Sequence, residues 1–259
     1  MKCIVCVTSV PDTASVVKIG GAGRQIDETG IKWILSPYDE YALEEAIKIT
    51  ETQGGEVCAM TFGPARAEAV LRDCLARGAH SAVHVEGGEA SLGDSFTIAK
   101  VLAGAISGRE FDLILVGVKG VGTDSSQVGP MLAELLDLPH VAGITSLELA
   151  AGALTAGREV EGGRETVASP MPAVLTCHKG LNEPRYAALK GIMAAKRKPV
   201  EKVNLASLGI SEGADPCYRV QSLELPPGKS AGTVIQGEDD PAGAAAQLVK
   251  LLRDEAKAI

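Results

Sequence analysis

The chain has 259 residues, a formal net charge of -8 and a 46% hydrophobic content, enough for a sizeable core in one or two domains. No long basic run is present, which excludes a general nucleic-acid binder, because neutralising a phosphate backbone needs clustered Lys and Arg. The longest apolar runs fall short of the ~18 residues of a membrane helix. The N-terminus lacks the h-region and cleavage pattern of a signal peptide, so the sequence reads as soluble and cytoplasmic.

The first element, "CIVCVTSV" (3–10), is an apolar, β-branched run ended by Pro11 and Asp12, and reads as a buried strand. Cys3 and Cys6 lie within it on opposite faces, as reduced buried thiols rather than a redox pair. Gly20 to Gly23 form a turn, the tip of a hairpin. "SPYDEYALEEAIKIT" (36–50) opens with Ser36 as N-cap and Pro37 at the first helical position, with acids following, and is a helix. Glu44 and Glu45 read as a solvated flank of it.

Strands and helices then alternate. Strands are expected at 56–63, 81–87 and 112–118, and helices at 64–77, 94–106 and 126–136. The alternation predicts an α/β fold, a Rossmann-like doubly wound parallel sheet with helices on both faces. After Pro139 two strand-like stretches flank Gly162 and Gly163, a hairpin signature that adds a small antiparallel β extension. Residues 173–180 form a further strand and 183–199 carry a helix, closed by the basic "KRKP" (196–199) as a solvated helix C-terminus. A Gly-, Pro- and acid-rich tail ends in an amphipathic helix from Pro241. The expected division is a nucleotide-binding α/β domain over 1–200 and an arm over 201–259 that packs on a partner subunit.

In such a sheet, ligands bind beyond the C-terminal strand ends. There the chain carries "TSVPD" (8–12), "TFGPA" (61–65) and "KGVGTDSSQVG" (119–129). The last is Gly- and Ser-rich and runs straight into a helix, which suits backbone N–H donors to a phosphate. Ser125 and Ser126 are candidates to cap that helix or bond phosphate oxygens. Asp124 would repel an anion unless turned away. An ordinary strand-helix turn would look much the same. Neither "GGAG" nor "GKS" (228–230) has the spacing of a dinucleotide fingerprint or a Walker A loop. No general acid-base set or nucleophile elbow is present: Cys177 and His178 are adjacent on a strand and face opposite sides, and His80, His84 and His140 are isolated. A bound cofactor would have to carry the chemistry.

"SPYDEYALEEA" (36–46), "DSSQVGPMLAELLDLP" (124–139) and "LNEPRYAALKGIMAAKRKP" (181–199), with "VPD" near the start and "LPPGKSAG" (225–232) near the end, resemble the β subunit of electron transfer flavoprotein. The resemblance implies a heterodimer with an α subunit that holds the FAD, and an AMP, or in electron-bifurcating members a second FAD, in this subunit. It places the nucleotide against Cys6, Ser36, Pro37, Tyr38, Asp39, Phe62 and the 117–128 segment, with Gly117, Val121, Gly122, Thr123, Asp124, Ser125, Ser126, Gln127 and Val128 as contacts. It puts Tyr38 near the α-subunit flavin. Leu189 would anchor a partner flavoprotein dehydrogenase such as an acyl-CoA dehydrogenase. The implied role is an electron carrier that serves a downstream acceptor, with NADH-dependent oxidoreductase activity if it bifurcates. The chain departs from the family pattern at Thr8 (commonly Lys), Ser36 (commonly Asn) and Gly122 (commonly Asp). A stand-alone ATP-using or nucleotide-sensing protein on the same sheet, and a structural partner with an empty nucleotide site, are the alternatives.

Overall fold

A computed structural model describes residues 1–88, 94–211, 217–218, 220–228 and 232–259. Lys229, Ser230 and Ala231 of "LPPGKSAG" therefore lie outside the described residues. The chain forms two compact units, Met1–Leu223 and Glu224–Ile259.

The first unit is built in chain order from β1 (Lys2–Cys6), β2 (Ser9–Pro11), β3 (Trp33–Leu35), α1 (Pro37–Gln53), β4 (Glu56–Gly63), α2 (Glu68–Arg77), β5 (Ser81–Glu86), α3 (Ser95–Ile106), β6 (Leu113–Gly117), α4 (Val128–Leu135), β7 (His140–Ala150), β8 (Ala153–Val160), β9 (Gly163–Pro170), β10 (Ala173–Cys177), α5 (Leu189–Ala195) and β11 (Glu201–Asn204). The second unit carries α6 (Pro241–Asp254), capped by the Asp240 carboxylate on the Gly243 N–H. No helix among the described residues is long and apolar enough to cross a membrane.

Nine strands form one sheet in the order β11-β5-β4-β1-β6-β10-β7-β8-β9. From β11 to β7 every pair is parallel; β8 and β9 continue it as antiparallel hairpins. The apolar strands explain the parallel part. β6 and β10 are buried at every residue, because helices cover both faces. Alternate β1 residues feed two cores: Cys3 and Val5 join the cluster under α1 and α2, Ile4 and Cys6 the one under α3 and α4. Both thiols are free and buried, on opposite faces as their spacing requires. The chain crosses from β5 at one side of β1 to β6 at the other, so β1 and β6 flank the point where strand order reverses.

Several elements differ from the sequence reading. The 3–10 run breaks after Cys6, and β2 leaves the main sheet to pair with β3. The hairpin at Gly20 to Gly23 is present, with an Ile19–Ile26 bridge and the Gly20 N–H donating to Gln25 O. The helix carried by 183–199 is α5, Leu189–Ala195. Glu44 and Glu45 are buried rather than solvated. Glu44 takes the Arg185 guanidinium at 2.8 and 3.0 Å, and Glu45 takes the Asn182 amide at 2.9 Å. Burial raises the Glu45 pKa, against the opposing pull of Asn182. Lys198 of "KRKP" ties back to Ala79 O at 2.7 Å. The first unit also extends past residue 200: β11 pairs with β5, and Leu205 is buried in the core.

Helix α4 sits close on β10 because Gly129 has no side chain. A Cβ there would overlap Thr176 Cγ2. Gly129→Ala is expected to destabilise the protein by roughly 1–3 kcal/mol, read as a lower urea midpoint with unchanged m-value. An unchanged midpoint would mean that the helix shifts freely.

Candidate functional site

Where the strands end, the backbone must leave the sheet, and one carboxylate organises the departure. Asp39, in the first turn of α1, accepts the Thr8 N–H at 2.7 Å and the Gly117 N–H at 2.9 Å. These donors stand just beyond β1 and at the last residue of β6. Burial pushes the Asp39 carboxyl up to about 7, with the hydrogen bonds from Thr8 and Gly117 opposing it. Gly117 is required at this approach, since a Cβ would overlap Asp39 Oδ1 and crowd the Tyr38 carbonyl carbon.

Between the diverging chains opens a cavity of about 1130 Å³. Its floor is the ends of β1, β4 and β6, including Cys6, Phe62 and Gly117. One wall is the 17–29 hairpin with Trp33, and another is the 117–129 loop. Phe62 holds its place against Gly87, where a Cβ would collide with the ring.

The loop has an unusual backbone. Gly122, Asp124 and Ser126 have φ of +98°, +47° and +54°, alternating with ordinary residues. Alternating handedness of this kind turns successive N–H groups toward one side and makes anion-binding concavities. A non-glycine residue held there costs of order 1–3 kcal/mol, and such strain clusters at binding sites. Gly122 fits its position, because a φ of +98° is one that L side chains rarely adopt.

Helix α4 begins at Val128, with Gln127 in the N-cap position and no side-chain cap. Ser125 and Ser126 therefore do not cap it; the Ser125 hydroxyl instead takes the Ser95 hydroxyl proton at 3.1 Å. Asp124 is turned away from the cavity and pairs with Lys119 at 2.9 Å, so its charge is neutralised rather than aimed at a ligand.

Of the residues singled out from sequence, Cys6, Asp39, Phe62, Gly117, Val121, Gly122, Thr123, Ser125, Ser126, Gln127 and Val128 come together on this wall. Ser36, Pro37, Tyr38 and Asp124 do not line it. Ser36 occupies the N-cap of α1 but makes no side-chain cap, and its buried Oγ has no hydrogen-bond partner among the described residues. The Tyr38 ring lies 5.6 Å from the His178 ring, with Lys119 Nζ 5.6 Å from its centroid. Leu189 does not line this cavity; it opens α5 and is 75% exposed.

Other wall residues were missed. Arg66 stacks over Trp33 at 3.9 Å and pairs with Glu28 at 3.1 Å. Asp94 caps α3 through the Thr97 N–H and also accepts the Cys217 N–H at 2.8 Å, which brings the next residue, Tyr218, to the cavity. Burial works to raise the Asp94 carboxyl, but the Thr97 and Cys217 N–H groups prevail and lower it. "GDSFT" carried a cap signal for Asp94; nothing local pointed to Arg66 or Trp33. Among the described residues no group of His, Cys, Asp or Glu could hold a metal ion. His84 is core, its Nε2 3.0 Å from Gly63 O, and burial lowers the His140 pKa. The 117–128 side of the cavity thus presents a backbone of a kind that can receive an anion.

Asp39 gives a pH signature. Its folded pKa lies above the unfolded 3.8, so its stabilising share is complete below about pH 4 and is lost as pH rises through 7. Between pH 6 and 8 it removes about 1 kcal/mol of unfolding free energy. Asp39→Asn should flatten that decline in urea titrations; an equally steep decline in the variant would assign it to another group.

Residues 24–208 match the family model described as the electron transfer flavoprotein domain. The chain is 44% identical over 237 residues to the electron transfer flavoprotein subunit beta of Bacillus subtilis (strain 168), covering 91% of each. It is 36% identical to the subunit of that name from Syntrophomonas wolfei subsp. wolfei over 99% of this chain and 98% of that one. Identity to the Homo sapiens subunit beta is 34%, over 93% and 94% respectively.

Proposed function

The chain belongs to the electron transfer flavoprotein family, matching its beta subunits, and on that premise we propose that it pairs with an FAD-holding α subunit and seats an adenine nucleotide in the cavity beyond β1 and β6. The observation that supports this most is the 117–128 loop. Its alternating positive-φ residues and the uncapped start of α4 present backbone donors where the strand order reverses. The nucleotide's phosphates would lie on this loop, with Cys6, Phe62 and Val116 supplying an apolar bed. The tail that ends in α6 would pack on the α subunit. Electrons would enter and leave through the flavin of the α subunit, and this chain's residues position and enclose cofactors rather than turn over a substrate.

The exposed apolar group of Tyr186, Leu189, Ile192 and Met193 supports a docking role for the start of α5. A flavoprotein dehydrogenase, of the acyl-CoA type, would take Leu189 into an apolar socket. A second reading, an electron-bifurcating form with a second FAD here, is favoured by one observation: about 1130 Å³ is larger than a typical small-ligand pocket of ~300–1,000 Å³.

Denaturing the heterodimer and quantifying released nucleotides by chromatography separates the readings. One FAD and one AMP per heterodimer is the expected result for the carrier. Two FAD and no AMP would establish the bifurcating form, and no adenine nucleotide beyond one FAD would overturn the proposed seat. Gly122→Val puts a β-branched residue at φ +98° and should lower retained nucleotide by about tenfold while the α-subunit FAD stays. Leu189→Ala should raise KM for the heterodimer in its reduction by a medium-chain acyl-CoA dehydrogenase by roughly tenfold, with kcat unchanged.

A further inference from the structure

We propose that Arg185 is a positioning residue for partner docking, fixing the direction in which the Leu189 surface is presented. The inference rests on the docking reading of that surface. Residues 183–188 form no helix or strand, so no backbone ladder orients them. Tyr186 is 92% exposed and Leu189 75% exposed, and little of the core holds either.

Arg185 supplies the missing constraint at three points. Its guanidinium forks across two acids of α1: Nε and Nη2 donate to Glu44 at 2.8 and 3.0 Å, and Nη1 and Nη2 donate to Glu51 at 2.6 and 2.9 Å. Its backbone N–H donates to Glu44 Oε2 at 3.1 Å, and its carbonyl accepts Arg77 Nη1 from α2 at 3.2 Å. The hydrogen bonds to Glu51 and Glu44 raise the arginine pKa, and the bond to Arg185 lowers that of Glu51. Three residues before, Asn182 ties to Tyr41 O and Glu45. At the other end Arg72 of α2 donates to Ala195 O and Lys198 O, and Gly191 lets α5 lie against Ala76 O.

The segment is therefore framed by α1 and α2, and Arg185 is the joint nearest to Tyr186 and Leu189. Bidentate guanidinium geometry fixes direction as well as distance, which a lysine ammonium does not. Loosening this joint leaves Leu189 present but wrongly aimed, a cost paid in encounter and binding rather than in electron transfer after docking.

The test uses the FAD-loaded heterodimer as variable substrate for a medium-chain acyl-CoA dehydrogenase turning over octanoyl-CoA. Arg185→Gln should raise KM roughly three- to tenfold with kcat held within about twofold. Arg185→Lys should lie between it and the parent. Glu51→Gln, which removes only the exposed half of the clasp, should shift KM in the same direction by about twofold and guards against loss of fold. If Arg185 acts through Leu189, Arg185→Gln should add less than about twofold in a Leu189→Ala background. Hydrogen exchange supplies a readout free of any dehydrogenase: amides 186–193 should exchange at least about fivefold faster in Arg185→Gln, with β6 unchanged. Unchanged exchange, fully multiplicative KM effects, or an unchanged KM in Arg185→Gln beside a raised one in Leu189→Ala would overturn the positioning role alone. An unchanged KM in Leu189→Ala would bring down the docking reading and the positioning role together.

Discussion

The architecture depends on a buried carboxylate that joins two parallel strands where their ladder ends. The Thr8 and Gly117 N–H groups lose their ladder partners just as β1 and β6 part, and the buried Gly117 N–H would carry the full cost of an unsatisfied donor if left without one. Asp39 takes both. The cost appears in its elevated pKa, and what it secures is a sheet that splits cleanly. Residues 8–12 leave toward β2, the 117–128 loop leaves toward α4, and the cavity opens between them. Gly117 completes the arrangement, because any larger residue would displace the acid that makes it.

Helix α1 carries a second polar attachment one turn and more further along. Asp39 and Tyr38 face the strand ends; Glu44, Glu45 and Glu51 face the 181–185 segment. One helix thus braces the cavity at its N-terminus and the exposed apolar surface on its flank. Breaking either attachment leaves a buried acid without its donors, which is more damaging than the modest net value of such a pair suggests. The two proposed sites therefore share a rigid element, although no side chain belongs to both.

Most of the sheet was legible because a strand covered on both faces must be apolar almost throughout, and "LILVG" and, apart from the hydrogen-bonded Thr176, "AVLTC" satisfy that rule. The cavity loop was legible only as a candidate, because small residues between a strand and a helix look much the same in an ordinary turn as in a ligand seat. The misreading of Glu44 and Glu45 has its cause in partners distant in sequence. They look like a solvated pair until Asn182 and Arg185 arrive, at separations of 137 and 141 positions. Arg66 and Trp33 become a wall only when α2 packs beside β3. Ser36 and Asp124 stand at positions the resemblance marked, but local geometry turns them from the cavity, and only φ, ψ and ion pairing reveal that.

Charge explains how an acidic chain could still seat a phosphate. Among the described residues the cations on the cavity wall are Arg66 and Lys119, and each has an acid beside it, Glu28 and Asp124. Neither offers an uncompensated charge. On the proposed reading the anion must then be held by backbone dipoles, from the alternating loop and the first turn of α4. Backbone donors depend on conformation rather than on side-chain identity. Such a site tolerates changes of side chain, provided the backbone keeps its shape. It does not tolerate a change that alters φ at 122, 124 or 126, or that unseats Asp39 beneath Gly117. The residues that matter most to the ligand are thus those that shape the backbone, and several of them never touch it.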